Sequence, residues 1–323
     1  MPAPVLALDI GGTKLAAGIV SPAGELLAER AEDTDPAWSP AEVIEQLFEL
    51  SEAALAEAAL HWRDLPAVGL SFGGPVDFPA RRTITCHHLH GWEGIPLPEL
   101  VEERFGLPVV MDNDANAAAL GEAVFGAARG FDHVLYLTVS TGIGAGLLLN
   151  GHLHRGANSL AGELGHTLVV PDGPACTCGR NGCLEAVASG PAIAREAKAA
   201  LDRGEASVLQ SIPRHQLTAK HVAENAHSDP LSARIMARAG EYLGVAIATA
   251  VNLVNPDIVV IGGGVSQAGE TLLQPLRDSV ARGAVPESVR DLRIVAGALG
   301  PQGALLGAAA LALRRGSSLQ EPT

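Results

Sequence analysis

Four residues in one short stretch have the types and spacing to hold a metal ion. From Gly162 to Glu185 the chain reads GELGH, nine residues, and then CxCGxxGCxE. Three of the four cysteines lie within the eight residues from Cys176 to Cys183, and His166 precedes them at a distance that a loop can close. Zn²⁺ takes thiolate sulfur at roughly 2.3 Å and imidazole nitrogen at roughly 2.0 Å in a tetrahedron, so His166, Cys176, Cys178 and Cys183 are a candidate closed Cys3His site. Gly179 and Gly182 permit the tight turns such a loop needs. A redox pair would favour the spacing C-x-x-C, and a disulfide framework belongs to short secreted chains. Buried, unliganded thiols are the third reading, and clustering with glycines and a histidine speaks against it. A site with four protein ligands has no open position for water, so the metal would be structural. The chemistry then falls to the polar residues the loop would hold: Glu163, His166 and Glu185.

A second set of reactive groups is spread along the chain. Asp112-Asn113-Asp114 follows a short apolar strand at 109–111 and precedes an expected helix over 117–125, which puts Asp114 near a helix N-terminus, where the macrodipole favours its charged form. A carboxylate there serves as a helix cap or as a general base. Asp9 ends another apolar strand, at 5–10, and runs into Gly11-Gly12-Thr13-Lys14 and a second strand from Leu15 to Val20. Strand, glycine turn and strand make a hairpin, and neither the Walker A loop nor the G-x-G-x-x-G turn is present here. Gly11 and Gly12 would let backbone N–H groups approach phosphate, with Thr13 as hydroxyl donor; a plain diglycine hairpin is the alternative. The design recurs at 134–139, a strand, then Ser140-Thr141-Gly142-Ile143-Gly144-Ala145-Gly146, then a returning strand at 147–149. Two copies predict two similar α/β domains, each offering one phosphate-binding hairpin to a shared cleft.

Several elements must position these groups. Ser39-Pro40-Ala41-Glu42 is a capped helix start, and Val43, Ile44, Leu47, Phe48, Leu55 and Trp62 recur at helical spacing as a core face. A strand at 67–71 ends in Phe72-Gly73-Gly74-Pro75-Val76-Asp77, at the strand end where α/β folds bind ligands. His87, His88 and His90 sit in a polar loop with no fourth ligand nearby and read as surface or pocket-rim residues. Ser189-Gly190-Pro191 marks a helix start, with 195–201 read as amphipathic surface, and Asp229 caps a long helix from Pro230 to about Asn252. A buried strand at 258–261 ends in Gly262-Gly263-Gly264, a turn that would lie against adenine or ribose, or would simply join strand to helix. The last helix is expected over 302–313.

With 323 residues, 47% hydrophobic and 18% charged, the chain can bury a large core and divide into two domains. A net charge of −14, with Lys14, Lys198 and Lys220 the only lysines, argues against nucleic acid as the main partner. No apolar run is long enough to span a bilayer and the N-terminus lacks signal-peptide features, so no membrane partner and a cytoplasmic protein are expected.

DIGGTK, GGPVD, DNDANAAALGE, STGIGAG, GELGH-x9-CxCGxxGCxE and a late GGGV, in this order and over essentially the whole chain, resemble the ROK family of bacterial sugar kinases. The family also contains sugar-responsive repressors with a helix-turn-helix domain before the first phosphate loop; with Asp9 so near the start, none is expected here. The resemblance implies an actin-like, ribonuclease H-like two-domain α/β fold that closes over ATP, Mg²⁺ and a hexose and transfers the γ-phosphoryl group to the sugar 6-hydroxyl. Glucose is the first candidate, with N-acetylglucosamine, N-acetylmannosamine, mannose and fructose as alternatives, and a non-catalytic sugar sensor as the alternative of another class. The expected division is a small domain of residues 1–116 with the C-terminal helix 301–316, a larger domain 117–300 with a structural zinc loop, and a disordered tail 317–323. A homodimer or homotetramer is expected.

Matched by motif, Asp114 is the base; Asn113, Glu163, His166 and Glu185 bind sugar hydroxyls and Gly74 borders the sugar. Asp9 orients Mg²⁺, Gly11, Gly12, Thr13 and Lys14 with Thr141, Gly142 and Gly144 hold phosphates, and Gly262, Gly263 and Gly264 face the adenosine. His166 has two ring nitrogens, one for zinc and one for the sugar. One stretch departs from the pattern: glucokinase-type members commonly read Asn-Leu-x-x-Trp where this chain has His88-Leu89-His90-Gly91-Trp92, and this bears on which hexose fits.

Overall fold

The computed structural model describes residues 3–35, 37–86 and 89–315. The tail expected beyond Arg315 lies outside these, as do His87 and His88, while His90 is exposed.

Strands β1 (Val5–Ile10), β2 (Lys14–Val20) and β3 (Leu26–Asp33) lead into helix α1 (Pro40–Glu57) and strand β4 (Val68–Phe72). A small hairpin, β5 (Val76–Asp77) and β6 (Arg82–Thr83), precedes α2 (Leu97–Phe105), β7 (Val109–Asn113) and α3 (Asp114–Val124). The second half opens with β8 (Val134–Val139), β9 (Ile143–Leu149) and β10 (His152–Leu153). Helices α4 (Leu184–Ala188), α5 (Gly190–Asp202), α6 (Ala219–Asn225) and α7 (Pro230–Val254) follow, then β11 (Ile258–Gly262), α8 (Glu270–Gly283), α9 (Pro286–Val289), β12 (Arg293–Ala296) and α10 (Gly303–Arg314).

The two halves repeat one topology. The first sheet runs β3-β2-β1-β4-β7 and the second β10-β9-β8-β11-β12. In each, the hairpin strands pair antiparallel and the last three strands parallel. Strands buried on both faces need apolar residues throughout, and β1 divides its residues between two cores. Leu6, Leu8 and Ile10 face α1, while Val5 and Ala7 face α10 with Leu305, Ala308 and Ala309. The α10 side is made of small residues because the helix lies almost on the backbone: a Cβ at Gly69 of β4 would stand 1.7 Å from the Ala308 carbonyl oxygen. Helix α10 also crosses α3 closely, where a Cβ at Gly307 would reach 2.0 Å from the Ala117 carbonyl oxygen. On its other side α3 packs against β8 and β9, so α3 and α10 lie between the two sheets.

The capping box at Ser39 and Glu42 forms as the spacing predicts. Three expected boundaries differ by three residues or more. Helix α1 stops at Glu57, and Trp62 instead stacks on Phe105 of α2 at 4.2 Å between centroids. Helix α3 begins at Asp114, not Ala117, because the Asn113 side chain accepts hydrogen bonds from the Ala115 and Asn116 N–H groups and starts the helix there. Strand β9 starts at Ile143 rather than Leu147; its small residues belong to the strand because α3 presses on them, leaving 2.7 Å between a Cβ at Gly146 and the Ala115 carbonyl oxygen. Among the described residues no helix is long and apolar enough to cross a membrane.

Candidate active site

Both glycine hairpins open onto one cleft. A cavity of about 300 Å³ there is bordered by Gly11, Gly12 and Thr13 from the first hairpin and by Thr141, Gly142 and Gly144 from the second. Gly74, Asn113 and Asp114 line it from the first half, Glu163, His166 and Glu185 from the second. The first turn is pinned by Gly11 N–H to the Lys14 carbonyl (2.9 Å) and by the Thr34 hydroxyl to the Gly11 carbonyl (3.0 Å). Lys14 itself is exposed, reaches Glu29 at 3.5 Å and is absent from the walls of the cavity.

Asp114 is the first residue of α3. Its Oδ1 accepts the Ala115 N–H (2.8 Å) and the Asn113 side-chain amide (3.0 Å). Burial still dominates over these bonds, and with Glu163 adding like charge the carboxyl is pushed up to about 6. Of the two roles open to Asp114, the cap is taken by Asn113, which leaves the Asp114 carboxylate facing the cleft. Asn113 also donates to the Gly74 carbonyl at 3.1 Å, so one amide side chain ties the β4 turn, the helix start and Asp114 together.

Asp9 stands on β1 beside Ser71 of β4, whose hydroxyl donates to it at 2.7 Å. Desolvation pushes its carboxyl up to about 7, the Ser71 bond works against this, and Asp114 adds like charge. A carboxylate so costly to ionise alone is a fitting neighbour for a divalent cation. Asn116 adds another unfilled place: Nδ2 donates to Asp112 Oδ1 at 2.9 Å, while its buried Oδ1 has no hydrogen-bond partner among the described residues and the side chain lines the cleft. Buried acceptors are normally satisfied, so a ligand or a bound water belongs there.

The second hairpin leads into a larger cavity of about 770 Å³, continuous in its lining with the first through Ser140 and Thr141. Its walls come from the start of α5 at Gly190, Pro191 and Ala194, from Leu217, Thr218 and Ala219 before and within α6, and from Gly264 and Val265. Size, mixed lining and continuity with the hairpin suit a purine nucleoside. Of the three late glycines, Gly264 borders this cavity, whereas Gly262 and Gly263 are absent from its walls. Gly262 makes room for Tyr136, and Gly263 has φ +80° and lies against the Val139 backbone, where a Cβ would stand 2.4 Å from the carbonyl oxygen.

His166, Cys176, Cys178 and Cys183 converge as their spacing predicts, with all four ligand atoms within 4.8 Å of one another. His166 Nδ1 lies 3.6 Å from Cys176 Sγ, and Cys178 Sγ lies 3.6 Å from Cys183 Sγ. Donors bound tetrahedrally to one Zn²⁺ stand about 3.5–3.8 Å apart, so the donor set fits that ion. The thiols alone conflict. Desolvation and the neighbouring Cys178 push Cys183 up to about 12, while hydrogen bonds from Arg180 bring Cys178 down to about 6. A bound cation is what would let Cys178 and Cys183 ionise together. His166 Nε2 points the other way, 3.9 Å from Glu163 Oε2. Glu185 bridges loop and hairpin: Oε1 accepts the Thr177 hydroxyl (3.1 Å) and Oε2 the Ile143 N–H (3.0 Å).

Sequence reasoning missed Ser71, the α5–α6 wall and the Asp112–Arg155 pair, whose Nε to Oδ2 distance is 2.8 Å. Only Asp112 left a signal, an acidic residue closing an apolar strand. The α6 wall is built of residues that any amphipathic helix contains.

Two α/β halves of one topology, each sending a glycine hairpin to a cleft between them, define the actin-like ATPase fold. Within it the ROK family pattern matches residues 5–315, and the chain belongs to that family. A glucokinase of Thermotoga maritima is 36% identical over 315 residues, 96% of this chain and 98% of its own length. The crystal structure of a ROK family glucokinase from Streptomyces griseus in complex with glucose and AMPPNP superposes with a TM-score of 0.82 at 36% identity, covering 96% of this chain and 99% of that one. A ROK family transcriptional regulator, a homolog of E. coli MLC, superposes at 0.87 with 30% identity, covering 95% of this chain and 77% of the regulator.

Proposed function

We propose that the protein is an ATP-dependent hexokinase of the glucokinase type, transferring the γ-phosphoryl group of ATP to the 6-hydroxyl of a hexose, with glucose as first candidate. The observation that carries this reading is the Asp114 carboxylate, held at the start of α3, raised to about 6 and open to a cleft that continues past the second hairpin into a nucleoside-sized cavity. The Streptomyces griseus relative, solved with glucose and AMPPNP, supports glucose and ATP as the pair.

In this reading Asp114 takes the proton of the attacking hydroxyl, and Asn113 fixes its orientation. Glu163, His166 Nε2 and Glu185 bind the other sugar hydroxyls, with the Gly74 backbone at the edge. Phosphoryl transfer depends mainly on positioning and charge stabilisation, which the backbone N–H groups of both hairpins provide. Asp9 would hold Mg²⁺, which would supply neutralising charge for the phosphates. His166, Cys176, Cys178 and Cys183 would hold Zn²⁺, which would supply only the fixed shape of the loop. Residues 1–116 with 301–316 form one closing half and 117–300 the other. A coupled assay of the purified protein with ATP against glucose, mannose, fructose, N-acetylglucosamine and N-acetylmannosamine tests the reading. Glucose should give the highest kcat/KM, and no turnover with any of the five would end the kinase assignment.

A narrower expectation concerns the first hairpin. Gly12 borders the cavity, and a side chain there would occupy space meant for phosphate. Gly12→Ala is expected to raise KM for ATP by about tenfold or more, the loss of one charge-assisted contact, with sugar KM nearly unchanged. Equal loss of both substrates together with a lower Tm would instead make Gly12 a folding residue.

A further inference from the structure

We infer that Arg155 is a positioning residue for the turn that carries Asp114, acting through a buried ion pair with Asp112. This rests on the kinase reading of the cleft and adds to it a residue that lines neither of the cleft's cavities.

Asp112 lies two residues before the base, with its side chain 1% exposed. Its Oδ1 accepts the Asn113 N–H at 2.8 Å and the Asn116 amide at 2.9 Å, so one oxygen grips the first turn of α3 on both sides of Asp114. Its Oδ2 accepts Arg155 Nε at 2.8 Å. The direction of the Asp112 carboxylate therefore sets the turn, and Arg155 sets that direction. Arg155 is itself fixed, because its guanidinium lies over the Phe78 ring, 3.6 Å from the centroid. A planar guanidinium held by a stack and a directed N–H bond constrains orientation in a way a lysine ammonium does not.

The pair also joins the halves. Arg155 follows β10 of the second sheet, whereas Asp112 is the penultimate residue of β7 in the first. Four residues further on, the Ser159 hydroxyl accepts the Phe78 N–H at 3.2 Å, and the chain then returns to Glu163 and His166. One segment thus contacts the support of the base at one end and carries proposed sugar ligands at the other. If it shifts, base and sugar move relative to each other.

Removing Arg155 alone leaves a buried carboxylate without its cation, which destabilises strongly whatever its role in catalysis. The test therefore pairs Arg155→Met with the double variant Asp112→Asn/Arg155→Met, in which no unpaired charge remains. Misplacing a reacting group by about 1 Å costs up to about 10²-fold, so Arg155→Met should lower kcat by about 10- to 10²-fold and lower Tm, with KM for ATP within about twofold. The double variant should regain most of the Tm while kcat stays at least about tenfold low. A double variant that recovers kcat along with Tm makes the pair a stabilising contact only and overturns the inference, as does unchanged kcat in Arg155→Met. Wild-type protein inactive in the same assay overturns the kinase reading and the inference with it, so the two failures are told apart.

Discussion

Asp114→Asn is expected to lower kcat for hexose phosphorylation by about 10²- to 10⁴-fold, the usual contribution of a positioned general base, while the KM for sugar changes little. The substitution keeps the shape of the side chain and its place at the start of α3, because the helix is capped by Asn113 and an amide oxygen at position 114 can still accept the Ala115 N–H. What it removes is proton affinity. Burial has already tuned that affinity: at about 6, against an ordinary 3.8, the carboxylate is ionised at neutral pH yet basic enough to take a hydroxyl proton as the bond to phosphorus forms. The wild-type kcat should therefore fall as pH drops through about 6, and a variant retaining near-wild-type turnover would take Asp114 out of the mechanism. Stability has the opposite sign. A folded-state value raised above the unfolded one means that the folded form binds the proton more tightly, so the associated stability is present below about pH 4 and is lost as pH rises through about 6 for Asp114 and about 7 for Asp9. Asp114→Asn should accordingly flatten the decline in Tm between about pH 4 and 6 in ligand-free protein, and calorimetry across that range would show it.

The parts of this site that were legible in the sequence are those where one residue type has few alternatives. Cysteines beside a histidine and glycines have the spacing to converge on one point, and their ligand atoms do so; the repeated strand, glycine turn and strand announced two similar halves, and the two sheets share one strand order. Glycine was the less reliable guide, because it answers two different needs. Gly146, Gly262 and Gly263 sit in motifs that read as ligand loops, yet each is small because α3, Tyr136 or the Val139 backbone comes too close for a side chain. Backbone collisions between distant segments leave no local pattern, so the distinction required coordinates. Strand β3 was overlooked for a related reason: an exposed edge strand reading LLAERAED has too little apolar alternation to stand out. The α6 part of the larger cavity's wall carries no signal in the sequence and residues 195–201 of α5 read only as amphipathic surface, since a face that lines a cavity and a face that meets water differ little in composition.

Removal of the zinc-loop metal is expected to abolish hexose binding, and the reason lies in what the loop is made of. Its hydrophobic cluster consists of Cys176, Cys183 and Ala186 with Cys178 against them, while Leu168 is 63% exposed. Three of those four residues are the proposed ligands, so without an ion the loop has almost no core of its own, and the binding energy of the metal serves as folding energy. The ligands also place the sugar contacts. His166 is itself a proposed ligand and stands three residues from Glu163, and Cys183 is the cap residue of α4, whose second residue is Glu185. Metal loss should therefore release all three proposed sugar ligands together. Reading the sequence alone, the proposed phosphate loops belong to other segments and should be affected less directly; the structure narrows that separation. Glu185 Oε2 accepts the Ile143 N–H at 3.0 Å, and Gly165 packs so closely on the second hairpin that a Cβ there would lie 2.0 Å from the Ile143 carbonyl oxygen. Nucleotide binding should weaken through the second hairpin but persist through the first, for which no such contact is found among the described residues. The expected result is about one zinc per chain by elemental analysis, and, after Cys178→Ala or treatment with a strong chelator, no hexose binding by calorimetry with ATP affinity reduced by about tenfold or less, the scale of losing part of one hairpin's hydrogen bonding. Full sugar affinity in protein shown to be metal-free would separate the metal from the substrate site and leave the Cys3His cluster as a clip on the loop alone.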